Sequence, residues 1–143
     1  MEPARVTQLL DQALKGDATG IDELRQATQK ELYEAGKALG EPFRFGRAAT
    51  LRVLGDWESG VLTDAQVRWW ALFMFIGAFP DEWTPIGWKI HHSSQPLDID
   101  YSDDEDVNEV VFRLKDLGDE LDGDISKAER AAMVFRLLGP PGI

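Results

Sequence analysis

Apolar residues recur at helical spacing along most of this chain. Val6, Leu9, Leu10, Ala13 and Leu14 share one side of a helix, with Pro3 suited to its first turn and Gly16 to its end. Ile21, Leu24, Thr28, Leu32, Ala35 and Leu39 continue the pattern, which predicts one helix from about Asp22 to Leu39, stopped by Gly40 and Pro42. Phe43 and Phe45 open a third helical stretch through Ala48, Leu51 and Leu54, closed by Gly60. Thr63-Asp64-Ala65-Gln66 has the spacing of a capping box, in which the Thr hydroxyl accepts from the N–H three residues on and the Gln reaches back. The helix it opens, Val67 to Ile76, is apolar on every side and is expected at the centre of the core.

Regularity then lapses. The 21 residues from Pro80 to Asp100 hold Pro80, Pro85, Pro96, Gly87, Trp83 and Trp88, and long irregular segments tend to be functional or to hide structure. Ser102-Asp103-Asp104-Glu105 is a second capping box, before a helix striped by Val107, Val110, Val111, Leu114, Leu117 and Leu121 and ended by Gly123. A third box, Ser126 to Glu129, starts a last helix whose apolar side is Ala128, Ala131, Ala132, Phe135 and Leu138. The pattern predicts a mainly α, single-domain helical bundle of about six helices over residues 1–143, built around two αα-hairpins. Its irregular segment, 80–101, has room for one short strand near Gly87 to His91.

Residues 54–66 and 117–129 align without gaps, sharing Leu, Gly, Asp, a second Gly and Ala, with Leu/Ile, Thr/Ser and Gln/Glu alongside. Each unit reads as a helix, a Gly that ends it, one buried aliphatic residue and a capped helix. This is a candidate pseudo-repeat of helix-elbow units.

Charge changes the picture from a bundle to a bundle with a field. The chain has 26 Asp and Glu against 15 Lys and Arg, a net charge of −11. Twelve of those acids lie between Asp98 and Asp124, opposed there only by Arg113 and Lys115, so these 27 residues carry −10. Such a field disfavours indiscriminate nucleic-acid binding and favours a basic protein partner. Along the acidic helix Asp106, Glu109, Arg113, Asp116 and Glu120 run at spacings of three and four, on one flank. Asp103, Asp106, Glu109, Asp116 and Glu120 are the candidate partner-binding acids, with Trp83 and Trp88 as candidate aromatic anchors.

Catalytic and metal chemistry finds little footing. With no cysteine there is no disulfide scaffold, thiolate zinc site or Cys nucleophile. His91 and His92 are adjacent, which makes a poor chelate, and no nucleophile motif accompanies them or the nearby Asp98 and Asp100. Two degenerate EF-hand registers exist. One runs from Gly118 to Glu129 with no carboxylate at its first position; the other runs from Asp98 to Glu109 with Asp103 where the sharp turn wants Gly. No catalytic residue, metal or cofactor is assigned. The longest apolar run, Trp69 to Phe79, is 11 residues, against the roughly 20 needed to span a bilayer, and the N-terminus lacks signal-peptide order. A soluble cytoplasmic protein with no membrane partner is expected, its oligomeric state open.

The stretch Leu54 to Val67, followed by Trp69 and Trp70, resembles the helix, acidic–Ser–Gly, aliphatic, Ser/Thr, acidic, helix signature of small bacterial toxin-immunity proteins of the colicin D immunity type. The resemblance implies an acidic, mainly helical, cytoplasmic inhibitor, not an enzyme, whose acidic helix from Asp103 to Leu121 occludes the active or nucleic-acid-binding surface of a basic toxin or nuclease. The acidity also fits a phage-type DNA mimic that inhibits a DNA-binding protein, and, further down, a calcium-responsive helix pair.

Overall fold

The computed structural model describes residues 1–40, 43–44, 46–79, 82–84, 87–89, 97, 99–100, 104–118 and 123–139. Among them are seven helices: α1 Pro3–Leu14, α2 Ile21–Leu24, α3 Gln29–Leu39, α4 Arg47–Glu58, α5 Asp64–Ile76, α6 Glu105–Leu114 and α7 Lys127–Leu138. Four short strands accompany them. β1 Phe43–Arg44 pairs in parallel with β4 Ile99–Asp100, and β2 Glu82–Thr84 pairs antiparallel with β3 Gly87–Lys89. No described helix is long and apolar enough to cross a membrane.

The mainly α bundle is as expected, and α5 is its axis. Val67, Trp70, Ala71, Phe73 and Met74 are buried in one core with residues of the other helices, and Thr63 caps the helix reciprocally with Gln66. The Trp70 indole also needs a polar partner in the core, and its Nε1 donates to the Ala13 carbonyl at 2.9 Å, pinning α5 to the end of α1. Trp69 turns the other way. It is half-buried beneath Arg25, whose guanidinium carbon sits 3.6 Å from the ring centroid. Around this axis α1 packs on α3, α5 on α6 and α4 on α7.

Four local expectations are corrected. The single helix from 22 to 39 is two, because Thr28 and Glu31 form a capping box that starts α3 afresh. Phe43 does not begin a helix; β1 pairs with β4 and the helix starts at Arg47. The segment after residue 80 contains a hairpin, not one strand, with Trp83 directly opposite Trp88 in the backbone register. The acidic helix is capped by Asp104, whose carboxylate accepts from the N–H groups of Asp106 and Val107, and it ends at Leu114 instead of Leu121.

The last of these bears on the pseudo-repeat. Gly55 lies inside α4, whereas its counterpart Gly118 follows α6 in the left-handed region at φ +88°. Among the described residues the two elbows agree at their first position, where Leu54 and Leu117 are buried, and in their second halves, where Leu62 and Ile125 are buried and Thr63 and Ser126 cap the next helix.

Two glycines separate backbone strain from steric exclusion. Gly16 (φ +87°) and Gly60 (φ +83°) are both left-handed, but a Cβ on Gly16 would lie 2.3 Å from the Ala49 carbonyl of α4, whereas one on Gly60 meets nothing within 4 Å. Gly60→Ala should cost about 1 kcal/mol and Gly16→Ala about 3 kcal/mol or more. Urea unfolding of the two variants checks this; equal losses would mean that α1 and α4 are not in close approach.

Candidate functional site

The acidic helix α6 is held by arginines from two other helices. Arg47, the first residue of α4, donates from Nε to Asp104 Oδ2 at 2.7 Å and from Nη2 to Asp104 Oδ1 at 3.1 Å. The same Nη2 donates to Asp106 Oδ2 at 2.6 Å. Its Nη1 turns to the end of α7 and donates to the carbonyls of Arg136, Leu137 and Gly139 at 3.2, 3.1 and 2.7 Å. Arg136 closes the ring, donating from Nε to Asp106 Oδ1 at 2.5 Å and pairing through Nη1 with Glu109. One guanidinium thus meets a helix cap, a buried carboxylate and the otherwise orphaned carbonyls of a helix C-terminus.

This placement revises the candidate acids. Asp106 is buried, and both of its carboxylate oxygens face arginines of the same chain, so it is not a surface acid awaiting a partner. Glu109 is exposed and pairs with Arg136, and Asp116 pairs with Lys115 at 2.9 Å. Asp103 and Glu120 lie outside the described residues, as do His91 and His92. For Trp83 and Trp88 the backbone pairing is described. The calcium register from Asp98 to Glu109 would need Asp104 and Asp106, which are engaged by arginines and helix N–H groups. Among the described residues no cluster of three metal-ligating side chains occurs.

Hydrogen bonds from Arg136, then from Arg47, hold the Asp106 carboxyl below its ordinary 3.8. Arg47 is raised chiefly by its bond to Asp104, and Arg136 by its bond to Glu109. Asp106 and Glu109 are legible from their spacing, though as surface acids, and Asp104 only as an acid inside a capping box. Arg47 gives no local signal, because its partners lie 57 to 92 residues away.

Two concavities flank α7. A groove of about 270 Å³ runs between α6 and α7, past Glu109, Arg113, Ala132 and Arg136. A cleft of about 480 Å³ opens on the other side, where Trp57 Nε1 donates to Asp64 Oδ1 at 2.8 Å and Arg130 lies over the Trp57 ring at 4.3 Å. Between them, α7 reverses its expected orientation. Met133 and Leu137 are buried, while Ala128, Ala131, Ala132, Phe135 and Leu138 are exposed. Phe135 is 81% and Leu138 71% accessible. A second apolar pair, Phe75 and Phe112, stacks edge to face at 5.6 Å beneath the Lys115 ammonium.

Because the folded-state pKa of Asp106 is lowered, its stabilisation is complete above the unfolded value and is lost as pH falls through the folded one. Asp106→Asn should therefore lower the thermal midpoint most at neutral pH, and the gap from the unsubstituted chain should close progressively below about pH 4. Melting curves at a series of pH values measure this; a gap that stays constant into strong acid would contradict the paired carboxylate.

Comparison with family models, with characterised proteins and with solved structures finds no match, and the face formed by α6 and α7 stands on its own geometry.

Proposed function

We propose that this chain is a non-catalytic binding protein that neutralises a basic protein, as a toxin-immunity protein neutralises a nuclease, by covering the surface its partner uses. The observation that carries this reading is the charge segment itself. Ten excess negative charges lie between Asp98 and Asp124, and Arg47 and Arg136, arriving from outside the segment, oppose two of them. The remaining eight have no counterpart within the segment, and exposed Glu105 and Asp124 lie among them. A field of this kind raises the encounter rate with a positively charged surface and discourages other partners.

The DNA-mimic alternative draws less support, since it needs carboxylates in outward-facing rows and Asp104 and Asp106 turn inward to Arg47. Localisation in the cytoplasm belongs to the immunity reading and goes with it.

The test uses proteins encoded by the genes adjoining that of this chain, purified as inactive variants and passed over the immobilised chain. One of them should bind, with an association rate that falls about tenfold or more between about 50 and about 500 mM salt. Co-expression of this chain should protect a host from the active form. No binding by any neighbour-encoded protein, or binding indifferent to salt, would overturn the reading.

A further inference from the structure

Charge, more than apolar burial, docks α7 on the rest of the chain. The helix buries only Met133 and Leu137, with Val134 partly covered, where α6 buries Val107, Val110, Val111 and Leu114. Its other attachments are ionic. Arg136 reaches Asp106 and Glu109 of α6, and Glu129 receives Arg113 from the same helix. Arg130 pairs with Glu58 of α4 at 3.4 Å and lies over Trp57. Arg47 holds the carbonyls of Arg136, Leu137 and Gly139. The helix is also basic in an acidic chain, with Lys127, Arg130 and Arg136 against Glu129 alone.

The turn before α7 is secured without it. The Gly118 N–H donates to the Gly123 carbonyl at 2.9 Å, and Arg113 Nη2 donates to the Asp124 carbonyl at 3.1 Å. Ile125 is buried, and the next residue, the N-cap Ser126, is exposed. The body of the protein therefore ends at Ile125, and the chain is free to pivot at Ser126. The ion pairs of α7 differ in their reach to water. Arg136 and Glu109 are 46% and 59% exposed, so salt screens them, whereas Arg47 is 16% exposed and is screened least.

We propose that α7 is a strap that opens as a unit while the remaining helices stay folded, with Arg47 as its latch. Closed, it covers Val110 and Trp57 and keeps Arg136 on Glu109 and Arg130 on Glu58. Open, it uncovers those side chains and takes two arginines off the acidic face. The strap is a property of the chain by itself, so it stands or falls apart from the neutralisation of a basic protein.

Hydrogen exchange on the whole chain, followed by NMR and scaled to the rates of an unstructured chain, tests this. A helix of 12 residues is marginal in water once undocked, so its amides exchange each time the strap opens. The amides from Met133 to Leu137 should exchange as one group, about tenfold or more faster than those from Ala71 to Met74 in α5. Their dependence on urea should be shallower, because opening one helix exposes less surface than global unfolding. Raising salt from about 50 to about 500 mM should speed the α7 amides about threefold or more. The α5 amides should not speed up with them, since screening relieves repulsion within the acidic body.

Two variants separate the strap from the bundle. Arg47→Lys keeps the charge but cannot span the carbonyls and Asp104, and should speed the α7 amides about tenfold. Val6→Ala, in the core of α1, should speed the α5 amides and leave those of α7 unchanged. Exchange of α7 and α5 at one common rate and with one urea dependence would overturn the strap, as would equal acceleration of both by Val6→Ala. Exchange of α7 that salt slows or leaves unaltered would overturn docking by charge, and an inert Arg47→Lys would overturn the latch. The comparison of α7 with α5 needs no variant, so it decides the matter even where Arg47→Lys does not fold.

Discussion

Three helix ends meet at the Arg47 guanidinium, and each brings a different unmet need. The N-terminus of α6 brings Asp104, which must cap its own helix while carrying a full negative charge. The C-terminus of α7 brings carbonyls whose intrahelical donors have run out. The N-terminus of α4 brings the arginine itself, placed where no N-cap side chain occupies the space. A planar cation with five donors can serve all of these at once, and a lysine, with its charge at one point, could not span them. Asp106 supplies the remaining negative charge and passes it on to Arg136. Register between α4, α6 and α7 therefore depends on electrostatics more than on apolar burial, since α7 buries only Met133 and Leu137.

This arrangement decides which face of α7 is left outside. Arg130 and Arg136 are drawn toward the body of the protein by Trp57 and Asp106 respectively. Their carboxylate partners are displaced outward, and the apolar stripe is displaced with them. Glu129 shows the competition directly. Its backbone N–H bonds the Ser126 hydroxyl as a capping box requires, yet its side chain reaches Arg113 at 2.7 Å instead of returning to the cap. The ion pair on α6 has outcompeted the reciprocal half of the box.

The parts of this fold that were legible from the sequence are those set by local chemistry. Thr63 and Gln66 announce α5, and an apolar run with no polar face leaves α5 nowhere to sit but the centre. The Thr28–Glu31 box was equally local, but a continuous apolar series from Ile21 to Leu39 masked it, and two helices read as one. Phe43 illustrates the opposite limit, because its strand partner Ile99 is 56 residues away and no window contains both. The orientation of α7 was illegible for a third reason. Two apolar series run along it, Ala128 to Leu138 and the narrower Met133, Val134 and Leu137, and periodicity counts residues without saying which series is opposed by a neighbour. Among the candidate acids, Asp106 was misplaced because spacing put it on the charged flank, and Arg47 is absent from any local window.

A chain with eleven excess negative charges repels itself, and a compact fold makes that worse. Setting Arg47 and Arg136 against Asp104 and Asp106 relieves part of that repulsion at α6, and it leaves the apolar stripe of α7 outside, beside carboxylates such as Glu109 and Glu129. Each of those two features is unfavourable alone. Exposed Phe135 and Leu138 keep apolar area in water, and clustered carboxylates keep like charges close. Arg136 and Arg113 offset the second at Glu109 and Glu129, so what this face leaves unmet is chiefly apolar area. The ion pairs, more than the net charge, decide which groups the face presents.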